Sequence, residues 1–184
     1  RVGPIPVMFT RRSALEGGEK IALAEAAVVQ LYLEVCASRL IDLIDYETVN
    51  AAEDFRRVRV ASREHGIALI GSYHNFQSTP DAAALAAKFA LAHARDADIA
   101  KVAVMPQSPP EVLTLLGATH AASQALPIPL ISMSMGPYGS LSRMVGFVYG
   151  SALSFAVGKS SSAPGQVPIE DLRAVLATVR KTVQ

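Results

Sequence analysis

Lys101 is the residue of this sequence best suited to carbonyl chemistry. It is the only charged side chain in the apolar run Ile99–Ser108, which resembles a strand buried on both faces. Burial disfavours the charged ammonium, and an uncharged amine can attack a ketone to form a Schiff base. The acids Asp45 and Glu47, on an earlier predicted strand, could adjust the pKa of this lysine or support the rim of a barrel around it. A lysine that reaches to water or pairs with an acid is the structural alternative.

His74 is the candidate general acid and base. It follows the apolar run Ile67–Ser72, and an imidazole can both take and return a proton near neutral pH. Glu16 could orient His74, as a carboxylate orients the imidazole of a catalytic triad; a solvated loop acid is the alternative. The other histidines lie at or in predicted helices and are interpreted as structural or exposed: His65, His93 and His120.

Four further residues are candidates for binding a polar substrate. Arg12 and Arg143 could clamp a carboxylate, because a guanidinium offers paired donors in a fixed fork. Ser162 and Gln166, in the loop 160–166, offer hydroxyl and amide groups for a polyol. Surface ion pairs and a flexible turn are the alternatives. Metal binding is not expected, since the sequence has no cysteine pair and no closely spaced histidines.

Composition indicates one folded domain. The chain has 184 residues, 51% hydrophobic and 18% charged, which is enough for a large core. A net charge of +1 gives no reason to expect nucleic acid or an anionic membrane as a partner. The single cysteine, Cys36, favours a reducing compartment, the cytoplasm. No membrane span or signal peptide is predicted.

The pattern of the chain predicts six strands alternating with six helices, which is typical of βα units in a parallel sheet. The predicted strands are 5–10, 40–47, 67–72, the lysine strand from 99, 130–135 and 151–157. The predicted helices are 19–39, 48–65, 79–95, 108–124, 140–149 and 169–183. An open doubly wound sheet and a closed (β/α)8 barrel both fit this alternation.

The positions of the polar residues favour the barrel. In a barrel, functional groups follow the strands at one rim, and the candidates above follow or end successive strands. A doubly wound sheet often has a glycine-rich phosphate loop, and none is present. A barrel needs eight strands and about 250 residues. We therefore expect residues 1–184 to be a single α/β barrel domain that lacks its first two βα units.

Five segments in register resemble the type I 3-dehydroquinate dehydratases. They are Phe9–Glu19, Ser72–Phe76 with Thr79-Pro80, Ala97–Ser108, Ser132–Met135 with Ser142-Arg143, and Ser162–Gln166. The likeness extends over the whole chain in matching order. One departure is Asn75, where many members of the family have aspartate, at a position that is not catalytic.

The resemblance implies a Schiff-base dehydratase of the shikimate pathway, usually a homodimer, that needs no metal or organic cofactor. Lys101 would form an imine with the ketone of 3-dehydroquinate. His74, held by Glu16, would remove a proton and protonate the departing hydroxyl in a syn elimination to 3-dehydroshikimate. The remaining matches are substrate-binding: Arg143 for the carboxylate, and Arg12, Ser162 and Gln166 for carboxylate or hydroxyl groups.

Two other functions remain open from the residues. Another class I Schiff-base lyase, such as an aldolase, would share the strand lysine without needing the Ser162–Gln166 loop or a carboxylate-binding arginine. The family's first two βα units, which carry further substrate-binding residues, have no counterpart in the chain. A truncated, non-catalytic barrel would therefore explain the short chain, although it would not explain why Lys101, His74 and Glu16 are all present.

Overall fold

The computed structural model describes residues 5–159 and 163–183 and shows strands alternating with helices. The strands are β1 (Met8–Thr10), β2 (Leu43–Glu47), β3 (Ala68–Asn75), β4 (Ile99–Val104), β5 (Leu130–Ser134), β6 (Ala156–Val157) and β7 (Val167–Pro168). The α-helices are α1 (Glu25–Ser38), α2 (Ala52–Glu64), α3 (Ala82–Ala94), α4 (Pro109–Ala125), α5 (Ser140–Val145) and α6 (Ile169–Arg180). Short 3-10 helices cover Ala14–Glu16 and Gly146–Tyr149.

The order of the strands decides between the two predicted architectures. Strands β1 to β5 are all parallel, and each pairs with its neighbour in the sequence. A doubly wound sheet reverses its strand order at a switch point, and this sheet has no reversal within its five strands. A bridge from Leu130 to Ser151 continues the same progression. The α/β class and the (β/α)8 barrel type are therefore confirmed.

Alternate residues of each strand face two different layers. On β4, Ala100 and Val102 pack in the larger core under the helices, while Ala103 packs in a smaller core inside the sheet. Lys101 alternates with the first two and so shares the inner face with Ala103. The same alternation puts Asp45 on the inner face of β2, because Ile44 and Tyr46 belong to the outer core.

The sixth predicted strand, 151–157, is wrong in its extent. Only Ser151 bridges to β5, and the two-residue strand β6 pairs instead with β7. The reason lies in a side chain, since the Ser151 hydroxyl accepts from the Ser132 amide at 3.0 Å. This hydroxyl takes the place of the backbone carbonyl that the Ser132 amide would otherwise bind. The backbone hydrogen bonds between β5 and the following segment therefore stop at the bridge to Ser151.

Helix starts also differ from the predictions. Helix α1 begins at Glu25 rather than at 19. Helix α3 begins at Ala82 rather than at 79, and Asp81 caps it by accepting from the Ala84 amide at 2.8 Å. Within the described ranges, no helix is both long enough and apolar enough to cross a membrane.

Candidate active site

A cavity of about 350 Å³ opens at the carboxyl ends of the strands and contains most of the predicted site residues. The carboxyl ends of parallel strands meet at one rim of a barrel, which is where such enzymes carry out their chemistry. The predicted residues that line it are Arg12, His74, Lys101, Arg143 and Gln166. Phe76, Met133, Met135 and Phe155 give the cavity its apolar surface.

Lys101 points into the barrel, where its amine meets a buried acid. Nζ lies 2.6 Å from Oδ2 of Asp45, whose side chain is fully buried. It also lies 4.9 Å from the centre of the Phe155 ring. Burial alone would raise the pKa of Asp45, but Lys101 and then Arg12 hold that pKa below its usual range. The amine is therefore fixed in place by a carboxylate.

His74 and Glu16 form a buried pair on the same inner surface. Oε2 of Glu16 lies 2.8 Å from Nδ1 of His74 and accepts from the His74 backbone amide at 3.0 Å. Two contacts to one oxygen fix both the backbone and the ring of the histidine. With Nδ1 held in this way, Nε2 is the ring nitrogen left for a molecule in the cavity.

Burial changes the protonation of both members of this pair. Burial lowers the pKa of His74 well below its usual value, and the cations Arg12 and Lys101 lower it further. Burial, with the neighbouring Glu47, raises the pKa of Glu16 to about 8, although Arg12 opposes the rise. At neutral pH the imidazole is therefore uncharged, which is the form that can accept a proton.

Glu16 reaches His74 because of a tight turn after β1. The 3-10 helix Ala14–Glu16 is capped by Ser13, whose hydroxyl accepts from the Glu16 amide at 3.3 Å. The next residue, Gly17, has φ of 84°, a left-handed conformation that favours glycine. A Cβ at this position would overlap the ring of Phe76. Glu16 and Gly17 therefore pack tightly against the end of β3 and the following Phe76.

Arg12 is surrounded by acids. Nη2 donates to Asp45 at 2.8 Å, and Nη1 donates to Glu47 and to the Ser72 hydroxyl at 3.0 Å each. Nη1 also lies 3.5 Å from Glu16. Burial alone would lower the pKa of Arg12, but the acids, Asp45 first, raise it. The guanidinium therefore already binds protein carboxylates.

Arg143 is also buried, but its contacts are uncharged. Its side chain donates to the carbonyls of Phe155 at 3.2 Å and Pro164 at 3.3 Å, and Nη1 lies 3.5 Å from the sulfur of Met133. In the part of the chain that the structure describes, no carboxylate pairs with it. Burial lowers the pKa of Arg143. Its positive charge faces the cavity without a counter-ion from these residues.

The structure brings six of the seven predicted site residues together. Gln166 lines the cavity, and Glu16 reaches it through His74. Ser162 lies outside the described residues. Across residues 5–159 and 163–183, no group of three or more histidine, cysteine, aspartate or glutamate side chains is placed to hold a metal ion.

Sequence reasoning did not predict the direct pairing of Asp45 with Lys101. It predicted only that Asp45 could influence the lysine or support the residues around it. The signal was available, because Asp45 and Glu47 are two apart on a strand and so face the same side. Phe155 and Met133 were also missed, since an apolar residue on a strand looks the same in sequence whether it fills the core or lines a cavity.

Comparison with known proteins places the chain among one group of enzymes. The sequence model described as type I 3-dehydroquinase matches residues 1–182. A 3-dehydroquinate dehydratase from Albidiferax ferrireducens is 60% identical, over 100% of this chain and 69% of its own length. The crystal structure of the Geobacillus kaustophilus 3-dehydroquinate dehydratase superposes with a TM-score of 0.97 at 47% identity, covering 99% of this chain and 70% of that one.

A second solved structure agrees with the first. The type I 3-dehydroquinate dehydratase from Clostridium difficile, described with covalently modified comenic acid, has a TM-score of 0.94 and 36% identity. The superposition covers 98% of this chain and 71% of that one. The chain thus spans about seven-tenths of the length of the relatives it matches.

Proposed function

This chain belongs to the type I 3-dehydroquinase family and dehydrates 3-dehydroquinate, and we propose that the residues of its cavity divide that reaction among them. The reaction removes water from the substrate and leaves a carbon–carbon double bond, giving 3-dehydroshikimate in the shikimate pathway. The enzyme is therefore a hydro-lyase, and the proposal concerns the role of each side chain.

Lys101 forms the covalent intermediate. Lys101 attacks the C3 ketone of the substrate as the deprotonated amine, the carbonyl oxygen leaves as water, and an imine remains. The imine withdraws electrons from C2 and makes its proton more acidic. Asp45, at 2.6 Å from Nζ, stabilises the protonated imine. Final hydrolysis of the imine takes up a water molecule and restores the amine.

His74 moves the proton. Nε2 of the neutral imidazole takes the proton from C2, and the resulting imidazolium returns it to the hydroxyl that leaves C1 as water. One group serves as base and then as acid, as a syn elimination allows. Glu16, 2.8 Å from Nδ1, accepts from Nδ1–H and so keeps the ring in the tautomer whose Nε2 can take a proton.

Arg143 binds the substrate carboxylate, because its charge faces the cavity while its described contacts are carbonyls and a thioether. Gln166, which lines the cavity, contacts the carboxylate or hydroxyl groups of the substrate, and for Ser162 the same role rests on the family resemblance. Arg12 contributes chiefly by holding Asp45 and Glu47. Its contact with a carboxylate or hydroxyl group of the substrate stays a prediction.

The observation that carries this assignment is the joint presence of three arrangements in one cavity. The Lys101 amine contacts a buried acid, and the uncharged His74 imidazole contacts a carboxyl group. Arg143 faces the same cavity and pairs with no acid among the described residues. They match the three needs of the substrate: a ketone to capture, a proton to move and a carboxylate to bind.

Borohydride trapping tests the central step. Incubation with 3-dehydroquinate and borohydride should add the reduced ligand to Lys101, as located by mass spectrometry of peptides, and Lys101→Ala should prevent the addition. Lys88→Ala is the control, since that amine lies over the Tyr73 ring and not in the cavity. Trapping on another residue would contradict the role of Lys101. Efficient trapping of aldolase substrates alone would favour a different Schiff-base lyase.

His74→Ala separates imine formation from dehydration. The variant should still be trapped by borohydride, while formation of the conjugated enone product slows by about 10²–10⁴-fold, the range for a lost acid–base group. The exposed His120 provides the control variant, His120→Ala. An unchanged dehydration rate in His74→Ala would remove His74 from the mechanism.

The finer expectations on cofactors, assembly and location are part of this proposal. The enzyme acts through the lysine imine without a metal or organic cofactor, assembles as a homodimer and works in the cytoplasm. The family resemblance supports the first two. The single cysteine, Cys36, is free and buried, which supports a reducing compartment.

A further inference from the structure

Tyr32 is a fully buried residue of helix α1 whose hydroxyl lies between the ends of two barrel strands. The hydroxyl accepts from the Arg11 amide at 2.9 Å and donates to the Asp45 carbonyl at 2.7 Å. Its ring packs edge-on against Phe9 and Tyr46, with centroids 5.2 and 4.9 Å away. A helix side chain thus enters the sheet next to the active site.

The hydroxyl occupies a position where a backbone hydrogen bond would otherwise form. Strands β1 and β2 are parallel, with Thr10 opposite Asp45, and the Leu43 amide donates to the Val7 carbonyl. Because parallel ladders are evenly spaced, the same pattern would next join the Arg11 amide to the Asp45 carbonyl. Tyr32 stands between these two groups and satisfies both. The strands are held apart at this point, and β1 ends at Thr10.

Both backbone groups belong to the support of the active site. Arg11 immediately precedes Arg12, which donates to Asp45 at 2.8 Å. The Asp45 carboxylate also accepts from Lys101 at 2.6 Å and from the Ser72 hydroxyl at 2.6 Å. One hydroxyl therefore fixes the separation of the two chain segments whose side chains hold the reactive amine.

We propose that Tyr32 is a positioning residue for the dehydration, acting through Asp45 and Arg12 on the amine of Lys101. This inference rests on the proposed function, since the amine is the group whose placement matters. Without the hydroxyl, the Arg11 amide and Asp45 carbonyl either pair directly or stay unpaired. In both cases the Asp45 carboxylate moves relative to Lys101. Arg143, which binds the carboxylate, follows β5 at the opposite end of the sheet and is unaffected.

Tyr32→Phe tests the proposal, with Tyr46→Phe as its matched control. Tyr46 is equally buried and stacks on Tyr32, but its hydroxyl donates to Glu25 at 2.9 Å, away from the cavity. Both variants lose one buried hydroxyl. Only Tyr32→Phe should lower kcat and the borohydride trapping rate, by about 10- to 100-fold, the cost expected of a displacement near 1 Å.

The Michaelis constant distinguishes positioning from general damage. Tyr32→Phe should keep a KM close to that of the wild-type enzyme, because substrate binding by Arg143 is untouched. Equal kinetic effects in Tyr32→Phe and Tyr46→Phe would overturn the proposal. A raised KM with unchanged kcat in Tyr32→Phe would also overturn it.

If Tyr32→Phe does not fold, NMR of the Tyr32 ring tests the same coupling. This measurement does not depend on enzyme activity. In protein labelled with ¹³C at the tyrosine ring carbon that bears the hydroxyl, Lys101→Met should shift the Tyr32 signal, because Asp45 loses its partner. The Tyr46 signal should shift less. Unchanged Tyr32 resonance would refute the coupling. Failure of wild-type protein to dehydrate 3-dehydroquinate would instead refute the proposed function, and the resonance would still decide the role of Tyr32.

Discussion

Arg12 and Arg143 reach the same cavity from the two ends of the five-stranded sheet, and their surroundings differ. Arg12 follows β1 and has three acids within 3.5 Å. Arg143 follows β5 and donates to two backbone carbonyls. A sequence search for a carboxylate clamp treats the two alike, because each is an arginine shortly after a strand. The structure gives them different tasks.

The difference shows how the cavity separates binding from chemistry. Near Arg12, the charges of Arg12 and Lys101 are offset by the carboxylates of Asp45 and Glu47, while the raised pKa of Glu16 favours its neutral form at pH 7. Near Arg143, one positive charge has no such partner among the described residues. An anionic substrate is therefore attracted to the Arg143 side, with its ketone toward the balanced side.

Removing Arg12 should produce the largest loss of stability. Arg12→Gln leaves Asp45 and Glu47 buried with one fewer cation, and breaking a buried ion pair costs about 3–5 kcal/mol. Urea denaturation followed by circular dichroism measures the free energy of unfolding. Arg56→Gln is the control, because Arg56 pairs with Glu53 on the surface, where such pairs contribute about 0–1 kcal/mol. An equal loss of unfolding free energy in the two variants would mean that Arg12 contributes no more to stability than an arginine in a surface ion pair.

Removing Arg143 should affect binding more than stability. Arg143→Gln should raise KM for 3-dehydroquinate by about 10²-fold, since loss of one partner of a buried charge pair costs about 2–5 kcal/mol and 1.4 kcal/mol is tenfold. The unfolding free energy should fall less than in Arg12→Gln, because Arg143 pairs with no acid in the part of the chain that the structure describes. A normal KM with a large stability loss would reverse the comparison and place the carboxylate elsewhere.

The barrel and most of the site were predictable because they depend on local patterns. Apolar runs alternating with helical periodicity predicted β1 to β5, and the position of Lys101 within an apolar strand predicted that its side chain is buried. The extent of the strand after β5 was not predictable, because it depends on the Ser151 hydroxyl reaching the Ser132 amide. That contact joins residues 19 apart, and no local pattern encodes it.

The different tasks of Arg12 and Arg143 were beyond sequence reasoning for a similar reason. Their roles depend on which acids the fold brings to each, and Asp45 lies 33 residues from Arg12. The same applies to Tyr32, whose place in α1 gives no sign that its hydroxyl enters the β1–β2 ladder. Residue type and spacing predict what a side chain can do, whereas its partners across the sheet determine what it does.

Glu16→Gln tests, through the pH dependence of stability, whether the Arg12 side is electrically balanced. The pKa of Glu16 is raised from 4.5 to about 8, so the folded protein keeps a proton that the unfolded chain loses above 4.5. The contribution of Glu16 to stability is therefore fully present below pH 4.5 and is lost as the pH rises through about 8. Glutamine does not titrate. The unfolding free energy of the wild-type protein, relative to Glu16→Gln, should fall across this window and level off above it.

Urea denaturation of both proteins across that pH range measures the difference directly. The difference is read between pH 6.5 and 8, because the lowered pKa of His74 removes stability from both proteins as the pH falls below 6.5. Glu111→Gln is the control, because Glu111 lies at the start of α4, where it accepts from the Gln107 amide, outside the cavity. A difference that rises with pH would mean that Glu16 is buried as a carboxylate beside Arg12. The Arg12 side would then carry a net negative charge, and the contrast with Arg143 would be stronger than the balanced arrangement proposed above.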